Sequence, residues 1–224
     1  MKLPTVIAID GPSASGKGST SRALAQRLGF LHVDTGAMYR ALTWHCQRLG
    51  LVPTDPNVKQ LPDPDAVARE CQSWPAKLVE AHHHLRVEVG GHRPGEELRT
   101  DAVAGKVALV SHVPAVREWM LHFQRGCAQF GNLVMEGRDI GTRIFPETPF
   151  KFYFVARAEV RERRGTHAGH GGGVSERDKI DADLNFAAKD AVLIDTSEHT
   201  VAQTVEVIVA ELQRKAPEVF KQQA

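Results

Sequence analysis

A chain of 224 residues that is 42% hydrophobic and 25% charged can bury a full core as one domain with insertions, a make-up foreign to disordered or membrane-embedded chains. The formal net charge is +1, so the overall balance gives no reason to expect a nucleic-acid or membrane surface, and any anion site must come from local arginines and lysines. Cys46, Cys71 and Cys127 are widely spaced with no CxxC; they suit a reducing compartment, offer no zinc site and, with no signal peptide in view, predict a cytoplasmic protein.

Residues 6–10, VIAID, are apolar until the last, as a central parallel strand buried on both faces requires. They lead into GPSASGKGS, residues 11–19. Gly11 and Gly16 let the backbone bring its N–H groups close to a polyphosphate. The helix predicted over 17–28, with Gly29 as its stop, aims its positive end at the same anion. Lys17 is placed to reach the outer phosphates and Ser19 to offer a hydroxyl to Mg2+. Because Gly18 follows Lys17, the pattern is GxxxxGKGS and the hydroxyl comes one residue later than in GxxxxGK[ST].

Residues 30–33 read as a short strand, and Asp34 or Thr35 as the cap of the next helix. Arg40, a turn into that helix, is either a solvated arginine or one that binds an acceptor phosphate opposite the loop. Residues 51–64, rich in Pro and Asp, form a connection, and 65–74 a short helix. Over 77–91 the period changes. Leu85, Val87 and Val89 alternate with Arg86, Glu88 and Gly90 up to a Gly-Gly turn, which predicts a small β-rich insertion. His82 and His84 would share one face of an edge strand, without a third residue to complete a metal site.

Two helices are expected over 98–109 and 114–130, the second with Pro114 in its first turn and Val116, Met120 and Phe123 on its apolar face. Arg117 stands near its start, where the helix dipole prefers an acid, so a functional and a solvated arginine both remain open. Residues 132–135 are a second core strand running into EGRDIGTRIFP. Arg138 and Asp139 fall just beyond it, where open α/β sheets bind ligands; a structural ion pair between them is the alternative. Residues 150–156, FKFYFVA, are a third strand, 190–195 the last, and 201–212 a closing amphipathic helix. Arg161 and Arg164 share a helix face that runs into a glycine-rich stretch, 165–174, which reads as a lid or as a plain surface loop.

These blocks resemble the bacterial cytidylate kinase family of P-loop nucleoside monophosphate kinases. IAIDGPSASGKGS, LGFLHVDTGAMYRALT, ELRTDAV, VPAVREWMLHFQR, EGRDIGTRIFP, ARAEVRERR and DAVLIDTS occur in family order between residues 7 and 197. The resemblance implies a three-layer α/β P-loop NTPase fold with a central parallel sheet. Its core would span 1–34, 100–160 and 189–215, with a monophosphate-binding region and its β-rich insertion over 35–99 and a short lid over 161–188. It implies phosphoryl transfer from ATP to CMP or dCMP with Mg2+ by a monomer that binds neither nucleic acid nor membrane. By position, Gly11, Pro12, Ser13, Ala14, Ser15, Gly16, Lys17, Gly18 and Ser19 would bind ATP together with Arg161 and Arg164, and Ser19 would also meet the metal. Thr35, Arg40, Arg117, Arg138, Asp139 and Asp181 would bind the acceptor, and Lys17, Arg138 and Arg177 would be catalytic. Two positions depart from the family: Leu184 stands in place of a lid arginine, and Ala108 in place of a serine that reads the base. They leave open a kinase of altered or broadened monophosphate specificity, or a degenerate nucleotide-binding protein.

Overall fold

The computed structural model describes residues 4–55, 57–61, 63–167 and 185–220. Two strands, β1 (Val6–Asp10) and β2 (Leu31–Asp34), flank β5 (Leu133–Gly137) in parallel, each buried nearly throughout. Beyond β1 lie β6 (Phe150–Val155) and then β7 (Val192–Asp195), also parallel. On the other side, β3 (Ala76–Ala81) and β4 (His84–Val89) form an antiparallel hairpin whose second strand pairs in parallel with β2. The order is β3-β4-β2-β5-β1-β6-β7.

The β-rich insertion is thus an extension of the central sheet. Its alternation is real, but its partner is β2, about fifty residues earlier in the chain, a pairing that local pattern does not encode. His82 and His83 form the hairpin turn with left-handed φ of 50° and 62°, so His84 alone of the histidine pair expected to share a face lies in a strand.

Helices cover both faces, which makes the three layers. On one face α1 (Lys17–Leu28) and the last helix, α8 (Val201–Lys215), pack Leu24, Ile208 and Leu212 over Ile7, Ile9, Val134 and Phe152. On the other, α2 (Thr35–Arg48), α3 (Pro64–Ser73) and α6 (Pro114–Arg125) pack Met38, Leu42, Val67, Val116 and Met120 over Val33, Leu85, Leu133 and Met135. Helix α7 (Ala158–His167) follows β6. No helix among the described residues is long and apolar enough to cross a membrane.

The helix expected over 98–109 is three short pieces: a 3-10 turn at Glu96–Arg99, α4 (Asp101–Ala104) and α5 (Val107–Ser111). Thr100 starts a new helix by accepting the Val103 N–H on its hydroxyl, and Gly105 ends it. Lys106 is buried at that break and donates to the Val58 carbonyl, tying the 51–63 connection to this wall. The helix expected to reach 130 ends at Arg125 and continues as a 3-10 turn, Gly126–Phe130.

Candidate active site

The loop between β1 and α1 is shaped by what lies behind it. Gly11 has φ of 145°, and a Cβ there would lie 2.4 Å from the Phe154 carbonyl oxygen, so only glycine passes. Helix α1 begins at Lys17 without a side-chain cap, which leaves its first amide N–H groups for an anion. Lys17 Nζ donates to the Pro12 carbonyl at 2.7 Å. Burial, and then the nearby Arg138 charge, push its pKa from 10.5 down to about 7. The loop is braced from outside: Thr196 Oγ1 donates to Ser15 O at 2.8 Å, and Arg161 donates to Ser13 O at 3.3 Å. Arg164 in turn donates to the Thr196 carbonyl at 2.7 Å and, with Arg163, lines the adjoining cavity.

The glycine after Lys17 has a specific cause. A Cβ at residue 18 would come within 3.0 Å of Glu136 Oε1, so the start of α1 sits directly against a buried carboxylate at the end of β5. Glu136 was not singled out from sequence; its signal is an acid closing an apolar strand beside a GKG that lacks the usual hydroxyl. Asp10, the acid that closes β1, accepts the Ile140 and Gly141 N–H groups at 2.9 and 2.8 Å and holds the turn after Asp139. Burial outweighs these bonds and raises its pKa from 3.8 to about 6. The folded protein therefore holds that proton more tightly than the unfolded chain, and this contribution to stability falls as pH rises between those values. Against Asp10→Asn, wild type should lose on the order of 2–3 kcal/mol of relative stability from about pH 4 to 6 in denaturant melts and change little above. A difference independent of pH would refute the shift.

The facing wall carries the remaining candidates. Of the two possible caps of α2, Asp34 serves, accepting the Ala37 N–H at 2.9 Å, while the Thr35 hydroxyl donates to Glu136 O at 2.8 Å. Asp34 also pairs with Arg40 at 2.8 Å; burial alone would raise its pKa, but the Arg40 charge holds it below the usual carboxylate range. Arg117 Nη2 meets Asp139 Oδ2 at 2.5 Å, with both side chains largely buried. The ion pair considered between Arg138 and Asp139 is therefore made by Arg117, because the turn after β5 points Asp139 toward α6. Arg138 points the other way and donates to the Gly11 carbonyl at 2.9 Å and to Asn185 Oδ1 at 3.4 Å.

Both walls line one cavity of about 890 Å³, running from Ser13, Ala14, Gly16–Ser19, Arg164 and Thr196 to Tyr39, Arg40, Ala108, Ser111, Arg117, Arg138 and Asp139. Gly11, Pro12 and Ser15 shape its floor without lining it. Arg177 and Asp181 lie outside the described residues, as do Leu184 and most of the expected lid. Two cation sets across one cavity suit two phosphorylated molecules placed end to end. Ser19 and Glu136 both line it, and the Glu136 carboxylate lies against Gly18, the residue before Ser19. Among the described residues no three His, Cys, Asp or Glu side chains cluster as a metal cage. One hydroxyl and one carboxylate, both hard oxygen donors, fit Mg2+, which keeps waters and takes most of its other ligands from substrate phosphates.

A family model described as Cytidylate kinase matches residues 7–214. The chain is 41% identical over 209 residues to a cytidylate kinase of Rhodococcus opacus (strain B4), covering 86% of this chain and 88% of that one. It is 39% identical over 220 residues to a cytidylate kinase of Pelotomaculum thermopropionicum, covering 91% and 94%. Against a cytidylate kinase of Mycobacterium avium the identity is 36% over 237 residues, covering 99% and 100%.

Proposed function

The chain belongs to the cytidylate kinase family, and from that premise we propose how its residues divide the work of the reaction. That reaction is ATP-dependent phosphorylation of CMP to CDP. The observation that carries the division of roles is the single cavity with a phosphate loop on one wall and Arg40, Arg117 and Arg138 on the other.

An oxygen of the CMP phosphate attacks the γ-phosphorus of ATP in line, and the bond to the departing ADP oxygen breaks. Charge spreads over the transferred oxygens, so positioning and neutralisation do most of the catalysis and no side-chain nucleophile is needed. The loop N–H groups and Lys17 hold the ATP phosphates. Arg138 stands between loop and acceptor, its guanidinium fixed by Gly11 and Asn185. Arg40 takes the acceptor phosphate with Arg138, at the end of α2 that Asp34 and Thr35 fix to the sheet. The Arg117–Asp139 pair presents a donor and an acceptor to the cytosine edge, on CMP or dCMP. When bound, Mg2+ supplies positive charge to the phosphate oxygens, with Ser19 and Glu136 as the residues that would hold it. Arg161 and Arg164 support the ATP side, and the family resemblance assigns Arg177 a catalytic role and Asp181 an acceptor-side one. In this reading residues 35–99 form the acceptor region and 161–188 the lid of a cytoplasmic monomer that binds neither nucleic acid nor membrane; three buried free cysteines suit that compartment.

A coupled assay of ADP release with CMP, dCMP, UMP, AMP and GMP tests it. CMP and dCMP should turn over fastest. UMP should trail by only about a hundredfold, because Ala108 offers the base no hydroxyl to punish a mismatch. Faster turnover of UMP or AMP than of CMP would overturn the base assignment.

A further inference from the structure

Glu136 is the end of a buried polar line beneath α1. His32 on β2 and His84 on β4 are register partners. Their rings meet edge to face, Nδ1 to Nδ1, at 3.0 Å. The other nitrogen of His32, Nε2, lies 3.3 Å from Glu136 Oε1. His32 is 4% exposed and Glu136 8%. The line crosses three adjacent strands, from the hairpin side of the sheet to the carboxylate against which Gly18 sits. Strands buried on both faces are ordinarily written in Val, Ile and Leu, as the neighbours Val33 and Val134 are here. A polar chain in such a place costs desolvation unless every member is satisfied, and each of these three has its partner.

The atoms dictate where the hydrogens go. An ionised carboxylate only accepts, so His32 Nε2 carries the N–H that meets Glu136. In the neutral ring His32 Nδ1 is then bare and takes the N–H of His84 Nδ1. Glu136 thereby decides which tautomer His32 adopts, and His84 satisfies the ring's other nitrogen and holds its plane. With the other tautomer, a bare nitrogen would face the carboxylate, and Glu136 would lose its hold. Neither histidine lines the cavity, so whatever they do there passes through Glu136.

We propose that His32 and His84 are positioning residues, a two-imidazole relay that fixes the Glu136 carboxylate against the start of α1 at the phosphate end of the cavity. The proposal rests on the reading of that cavity as the site of phosphoryl transfer. Outer partners of this kind typically change activity by 10–100-fold when removed. His32→Leu should lower kcat about tenfold and leave KM for CMP within about twofold, and His32→Gln, whose amide can still donate, should recover most of the loss. In a Glu136→Gln background His32→Leu should have no further effect, since the carboxylate it orients is gone.

A second readout needs neither nucleotide nor metal. Side-chain nitrogen NMR of the free protein at about pH 8 should find His32 wholly as the Nε2–H tautomer, and Glu136→Gln, whose amide can donate as well as accept, should turn it into a mixture of both. Unchanged kcat in a folded His32→Leu protein would overturn the relay, as would equal losses with and without Glu136, or a mixed His32 tautomer in wild type. Absence of CMP turnover in wild type would instead overturn the reading of the site, and the tautomer measurement still decides the relay.

Discussion

Lys17→Ala should lower turnover of CMP by about a thousandfold while making the free protein more stable near neutral pH. The two effects have one cause. Lys17 is held in the loop by the Pro12 carbonyl rather than by a carboxylate, and burial with the Arg138 charge nearby lowers its pKa to about 7. The free protein therefore keeps this ammonium at a cost that only a polyphosphate relieves. Since the folded pKa lies below the unfolded one, the unfolded chain binds the proton more tightly above neutrality. Wild type should thus gain stability over Lys17→Ala as pH rises from about 7 toward 10. ATP reverses the balance: its phosphates favour the charged form, so binding above about pH 7 takes up a proton. Calorimetry of ATP binding in two buffers of different ionisation enthalpy should register that uptake in wild type and miss it in Lys17→Ala. Equal uptake in both would mean that Lys17 is not the titrating group.

How far such a site can be read from sequence depends on whether its causes are local. Helix α1 has the predicted bounds, 17–28, because loop, cap and Gly29 all lie within one window. The departure GKG was equally visible, but its reason was not: it is Glu136, brought to Gly18 by the β1–β5 pairing. The same holds on the acceptor wall. Arg117 and Asp139 were each legible as candidates, one for standing where a helix dipole disfavours it and the other for following a core strand. Their mutual contact needs α6 packed over β5, which no local pattern states. His82 was misplaced because alternation was extended through a turn, where two left-handed residues interrupt the strand. Thr196, which braces the loop at Ser15, stands inside the DAVLIDTS block with no role attached; it is an ordinary threonine after an edge strand until β6 and β7 pair.

Arg138→Ala should be the most damaging change on the acceptor side, lowering kcat/KM for CMP by about a thousandfold while the affinity for ATP changes only a few-fold. Two separable losses are expected. The first is the guanidinium that meets the acceptor phosphate, which raises KM. The second is the tie from the Gly11 carbonyl to Asn185, which holds that guanidinium in line with the phosphate loop; its loss lowers kcat. Arg138→Lys should rescue little, because an ammonium cannot reach the loop carbonyl and the phosphate with a planar fork. A third consequence ties the two walls together. The Arg138 charge is one of the causes that depress the Lys17 pKa, so without it Lys17 should be more fully protonated before ATP arrives. Proton uptake on ATP binding near pH 7.5 should therefore shrink in Arg138→Ala, although the substitution lies on the acceptor side of the cavity. Unchanged CMP kinetics would falsify the acceptor role, and undiminished proton uptake would show that the two cations do not sense each other across the site.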